Sequence, residues 1–245
     1  MEKRVRDITS FVDVEHLADS LKPVLADFEK SLSKLNNFKP RSNESFVMER
    51  ISIRLCKDFN NLINSIPHSI EGIALSTRNI FEVSLILKYI LQSKENMNEW
   101  LGQLANDEKQ ILEGFLNING TKDPKDRSAI EARIEKLKEI CYRHNIQLSK
   151  QFNIRDVAKN VGHEDDYISF YKFFSKYVHP TSWLINKPEK EIGDTVYQNA
   201  FVMNAQLYFA QSKALLGDWL KEKTANPVVE NYLKMRGLRT KDLLR

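Results

Sequence analysis

Apolar side chains recur along this chain at steps of three and four residues, the period of an α-helix, almost from end to end. Leu17, Leu21, Val24, Phe28, Leu32 and Leu35 mark a first helix over 13–35, with Asp13 placed to cap it and Pro23 predicting a kink or a restart. Residues 36–43 read as a loop by composition. A second amphipathic helix follows over 46–65, carrying Val47, Ile51, Leu55, Phe59 and Leu62. Pro67-His68-Ser69 interrupts the chain, and a third helix runs over 69–92. Between Ile80 and Leu91 only Glu82, Ser84 and Lys88 are clearly polar. A helix apolar on nearly every side is surrounded by others, which places this one at the centre of a bundle. Residues 95–116 give a further helix through Trp100, Leu101, Leu104, Ile111, Leu112 and Phe115, ending at the turn signal Asn119-Gly120 ahead of Pro124.

The pattern then changes. Over 126–143 only a narrow stripe of Ile130, Ile134, Leu137 and Cys141 interrupts a field of Glu, Lys and Arg, so this helix lies on the surface or projects as an arm. A short helix over 154–161 is closed by Gly162. Residues 165–178 set Tyr167, Phe170, Tyr171, Phe174, Tyr177 and Val178 at helical spacing, and Pro180 ends the helix at His179. Over 191–221 two apolar faces appear. Val196, Ala200, Met203, Leu207 and Ala214 form one; Phe201, Tyr208, Leu215 and Trp219 form the other, which predicts an interior position. Pro227 starts a last short helix, and Arg236, Arg239, Lys241 and Arg245 make a basic tail. No repeat and no sustained β-alternation is present. The predicted fold is all-α, an irregular bundle around the central apolar helix 69–92 with a projecting amphipathic helix near 126–143. Residues 1–40 form an N-terminal appendage, 41–223 the bundle domain, and 224–245 a basic C-terminal helix and tail.

Composition supports the helical reading and narrows the function classes. Gly at 8 and Pro at 7 are scarce for 245 residues, as long helices require. Charged residues at 29% and hydrophobic ones at 42% describe an ordinary globule, not a disordered chain. A net charge of +4 permits a nucleic-acid surface without requiring one. The opening segment MEKRVRDITSFVDVEH has no apolar core of a secretory signal, so a cytoplasmic location is expected, with Cys56 and Cys141 reduced and packed. The run from Ile80 to Leu91 falls well short of the roughly 20 residues that span a bilayer, so no membrane partner is expected.

Polar groups in apolar surroundings are the candidates for chemistry. Arg78 and Glu82 sit four apart at the head of the central helix, share a face and can bond. Buried charges need partners, so the pair is either an inter-helix tie or part of a site. Tyr171, Ser175 and His179 follow at four-residue steps, lining one side of a helix end with two hydroxyls and an imidazole. His179 is either a C-terminal cap or a general acid/base whose pKa can sit near neutrality. If the 165–179 helix packs on the central one, Arg78, Glu82 and His179 would form a catalytic cluster, with Tyr171, Ser175, Lys172 and Lys176 as binding residues. His163-Glu164-Asp165-Asp166 is rich in metal-ligand types, but acids opening a helix are ordinary caps and first-turn charges, and neither zinc nor calcium spacing is met. No metal or cofactor is expected, and no P-loop, nucleophile elbow or dinucleotide fingerprint is present.

Arg78-x-x-x-Glu82 followed by an apolar helix, then Asp156-Val157-Ala158-Lys159-x-x-Gly162 and Tyr167-x-x-x-Tyr171-x-x-x-Ser175-x-x-x-His179-Pro180, resembles a bacterial helical family of unknown function. Its members share an Arg-x-x-x-Glu helix and a later Ser-x-x-Val-His element. The resemblance covers roughly residues 45–220. The layout is also distantly similar to the HEPN (higher eukaryotes and prokaryotes nucleotide-binding) superfamily, helical bundles of toxins and antiviral defence systems. The ribonucleases of that superfamily carry an Arg followed by four to six residues and a His. None of His16, His68, His144, His163 and His179 has such an Arg upstream; Lys172 holds one of the three positions before His179, and Lys lacks the planar fork that grips phosphate. What the resemblance implies is an interaction module of a bacterial defence or stress system, non-catalytic or weakly catalytic, binding a partner protein, a second copy of itself, or RNA. The alternative is a metal-independent ribonuclease using His179 and Arg78.

Overall fold

The computed structural model describes residues 14–36, 42–66, 68–118, 123–146, 152–192 and 194–224. Among them the chain is all-α, with no strand. The helices are α1 Val14–Asn36, α2 Asn43–Ser65, α3 Ile70–Gln92, α4 Lys94–Asn117, α5 Pro124–Arg143, α6 Ile154–Asn160, α7 Glu164–Val178, α8 Ser182–Asn186, α9 Glu189–Ile192 and α10 Thr195–Thr224. Asp13, the loop 37–41, Pro67, the Asn119-Gly120 turn and the C-terminal helix and tail after 224 lie outside the described residues. Contacts gather in two compact units, one formed by Met1–Leu87 with Gly162–Arg245 and the other by Lys88–Val161.

In the first unit α10 is the post on which the other long helices are hung. Phe209 meets Phe28 of α1 at 4.9 Å and stacks on Phe59 of α2 at 4.0 Å. Tyr208 lies 4.6 Å from Phe81 of α3, and Phe201 stacks on Phe173 of α7 at 4.3 Å. Phe59, Phe81, Phe174, Phe201 and Phe209 are fully buried, each contributing roughly 1.5–3 kcal/mol through area removed from water. α1 runs unbroken across Pro23, so the helix does not restart there. The missing amide bond costs the helix locally, and burial of Leu21, Leu25 and Phe28 on either side holds it together. Val24 is exposed and Leu25 takes the core position. α2 opens on a capping box: Ser42 accepts from the Ser45 amide at 3.1 Å, and the Ser42 amide donates to the Ser45 hydroxyl at 2.8 Å.

The two apolar faces of α10 do not both lie inside. Phe201, Val202, Ala205, Tyr208, Phe209, Leu216 and Trp219 are buried, whereas Met203, Leu207, Ala210 and Ala214 are exposed. The sequence pattern predicts burial all round; here the neighbouring helices cover only one side.

The second unit is built on α4 and α5. Only Ser93 separates α3 from α4, and it caps α4 by accepting from the Asn96 amide at 3.1 Å. The Asn96 side chain reaches back to the Tyr89 carbonyl at 2.9 Å, so one tight corner closes both helix ends. α4 buries Met97, Leu101, Gly102, Gln103 and Ala105. α5 lies along it through Ile134, Leu137 and Cys141, tied by Arg133 to Glu108 at 2.5 Å, with its remaining residues largely exposed. α5 begins at Pro124 behind the cap Asp123 and ends with Asn145 in the left-handed region at φ 52°. There the amides of Asn145 and Ile146 donate to the carbonyls of Tyr142 and Cys141, satisfying the last turn. The backbone amide of Phe152 donates to Gln103 at 2.9 Å, and its ring packs on Tyr89 and Trp100. α6 ends at Gly162, whose φ of 76° suits a residue without a Cβ.

Candidate functional site

Arg78 and Glu82 bond across one turn of α3, as their spacing requires: Arg78 Nε donates to Glu82 Oε1 at 2.8 Å. Both side chains are 23% exposed, so the pair sits at the edge of the core rather than sealed within it. α7 supplies the third member. The Arg78 guanidinium lies 5.6 Å from the centroid of the Tyr171 ring, within cation–π range, and Tyr167 packs beside Tyr171 at 5.6 Å. Beneath them Phe81 is enclosed by Tyr167, Phe170, Phe174 and Tyr208. Arg78, Glu82 and Tyr171 thus form one patch, with the charge held between a carboxylate and an aromatic face.

The other candidates lie elsewhere on α7. Ser175 donates to the Lys172 carbonyl of its own helix at 3.1 Å. Lys172 and Lys176 are exposed. His179 is the exposed C-cap residue, extended at φ −113° and ψ 151° as Pro180 demands. The Lys176 carbonyl is capped by the Thr181 hydroxyl at 3.1 Å, not by the imidazole. Eight residues separate Tyr171 from His179, a rise of about 12 Å along α7. His179 thus stands about two turns along α7 from Tyr171, the residue whose ring meets Arg78. His163 occupies the N-cap position of α7 without a side-chain capping bond; its Nδ1 lies 2.7 Å from the Asp166 carboxylate, and Glu164 and Asp165 fill the first turn. Among the described residues no group of three His, Cys, Asp or Glu side chains is placed to hold a metal ion, and no helix is long and apolar enough to cross a membrane.

A second polar cluster escaped the sequence reading. Asp58 of α2, 1% exposed, accepts from Arg54 Nε at 2.6 Å and from Asn79 Nδ2 at 3.3 Å. Burial holds its carboxyl above the ordinary carboxylate value, against the opposing pull of Arg54 and Asn79. The signal was available. Arg54-x-x-x-Asp58 repeats the spacing of Arg78-x-x-x-Glu82, and Asp58 falls on the apolar stripe of Ile51, Leu55 and Leu62. Adjacent residues of α3 thus serve different neighbours: Asn79 ties it to α2, and Arg78 meets α7.

Fold and patch together define an all-helical protein in which Arg78, Glu82 and Asp58 are held by partners within the chain. The model of a family described as Family of unknown function (DUF5677) matches residues 46–190, more than half of the chain and inclusive of Arg78, Glu82, Tyr171, Ser175 and His179; the chain belongs to that family. No curated protein matches the chain, and no solved structure does.

Proposed function

We propose that this chain is a non-catalytic helical interaction module of a bacterial defence or stress system, acting by binding a partner protein. The observation that carries the reading is the outer face of α4. Leu104 and Ile111 are each 60% exposed, and Phe115 and Ile118 are exposed on the same line at steps of seven, four and three. Large apolar side chains gathered on one exposed face mark association surfaces rather than ordinary solvated ones. The defence or stress setting rests on the distant similarity of the helical layout to the HEPN superfamily. The ribonuclease alternative is weaker, because His179 stands about two turns along α7 from Tyr171, whose ring meets Arg78, and the Arg78 Nε is taken by Glu82.

Proximity labelling in the source cell with the wild-type chain and the Leu104→Lys and Ile111→Lys variants tests the reading. Both variants are expected to keep the wild-type helical spectrum and lose a partner that His179→Ala and Arg78→Ala retain. Labelling unchanged by the α4 variants would refute it. Cleavage of single-stranded RNA that His179→Ala abolishes at unchanged stability would install the enzyme reading instead.

A further inference from the structure

The exposed face of α10 is a separate feature and stands whether or not α4 binds a partner. Val196, Ala200, Met203, Leu207, Ala210 and Ala214 recur at steps of four, three, four, three and four, a strict seven-residue period. Met203 and Leu207 are 50% and 52% exposed at the middle of the line, Ala210 and Ala214 are exposed beyond them, and Val196 and Ala200 are half-buried at its start. The chain carries no charged residue from Thr195 to Ser212, although 29% of its residues are charged. Lys213 lies off this face, paired with Asp27 of α1, and the first charges on the face itself, Asp218 and Lys221, bond to each other at 3.0 Å.

These features select the occupant. Nucleic acid is excluded, since its binding is driven by cations set against phosphates and this face has none. An anionic lipid surface would want the same cations. A neutral seam of seven-residue period fits another helix of the same period, with its alanines letting the two backbones approach closely. We infer that this face of α10 binds the same face of a second copy of the chain, antiparallel, about a two-fold axis passing between Met203 and Leu207. In that register Met203 meets Leu207 of the second copy, Ala200 meets its Ala210, and Val196 meets its Ala214. Large residues pack at the centre, small ones to either side, and the seam ends before Asp218. Two-fold pairing of one patch with itself is the commonest form of assembly. The strip is about 27 Å long and about 10 Å wide, less than the roughly 800 Å² per partner of a standard stable interface, so the dimer is a weak, reversible one.

Sedimentation equilibrium of the full chain from low to several hundred micromolar tests this. The wild type is expected to rise from the monomer mass toward twice that value. Met203→Glu and Leu207→Lys, both at exposed positions and checked for an unchanged circular dichroism melt, are each expected to remain monomeric. An equimolar mixture of the two should recover the dimer, because the register sets the new carboxylate against the new ammonium. A wild type that stays monomeric throughout overturns the proposal. So does a dimer that survives both substitutions, including one lost only in Ile111→Lys, which would place association on α4. A mixture that stays monomeric overturns the antiparallel register.

Discussion

Asp58 carries a carboxylate into a layer otherwise made of Ile51, Leu55 and Leu62, and its surroundings make its charge costly. Because burial raises its pKa above the ordinary 3.8, the folded chain keeps this proton where the unfolded chain has released it. The contribution of Asp58 to stability therefore falls as pH rises from that ordinary value through the raised one. Urea midpoints measured across this window should show wild type losing ground relative to Asp58→Asn as pH increases. Asp58→Ala, which also strips Asn79 of its acceptor, should cost about 1–3 kcal/mol at neutral pH. Tyr177 presents the opposite case. It is 2% exposed among Phe173, Trp183, Tyr197 and Phe201, and its buried hydroxyl has no hydrogen-bond partner. Tyr177→Phe removes an unsatisfied group without disturbing the ring, and thermal melts should show a gain of up to about 1 kcal/mol. Which residues could pair within one helix was legible from spacing alone, as Arg78 and Glu82 illustrate. Whether His179 reaches Arg78 was not, because that depends on how far α7 slides along α3, and no local pattern encodes an axial offset.

Among elements, the predicted helices that fall on described residues appear where the three-and-four spacing put them, and their ends follow local chemistry. Ser42 illustrates the energetics: it satisfies one orphan amide of α2 and receives a reciprocal bond from Ser45. Ser42→Ala should lower stability by about 1 kcal/mol, read as a shift of the urea midpoint at unchanged slope. Two elements departed from their patterns for the same reason, that periodicity reports which faces are apolar and not which are covered. α1 continues across Pro23, with Leu21 and Leu25 buried on either side of it and the helix packed against α2 and α10. α10 shows two apolar faces in sequence and buries only one.

For the molecule as a whole, each of the two units carries one buried thiol. Cys56 belongs to the first, where burial and the nearby Glu29 push its pKa up to about 11; Cys141 belongs to the second and is likewise raised by burial. Thiolate is the reactive form, so both should resist a disulfide reagent at neutral pH in the native state. Unfolding exposes them separately, and mass spectrometry of labelled peptides resolves the two. α5 is anchored by Ile134, Leu137 and Cys141, whereas Cys56 lies in a helix with a continuous buried face including Val47, Met48, Leu55 and Phe59. Cys141 should therefore label at lower urea than Cys56, since segments with few buried contacts open first.

Ser93, standing alone between two long helices, fixes more than a turn. With no slack on either side of it, the rotational phase of α4 is locked to that of the last turn of α3, residues 88–92, within the same unit. One inserted residue would turn every following side chain by about 100°, lifting Leu101 and Ala105 out of the interior and driving Leu104 and Ile111 toward it. Replacing Ser93 with Asp keeps an oxygen for the Asn96 amide and leaves that phase alone. At this corner the chain tolerates a change of letter far better than a change of length.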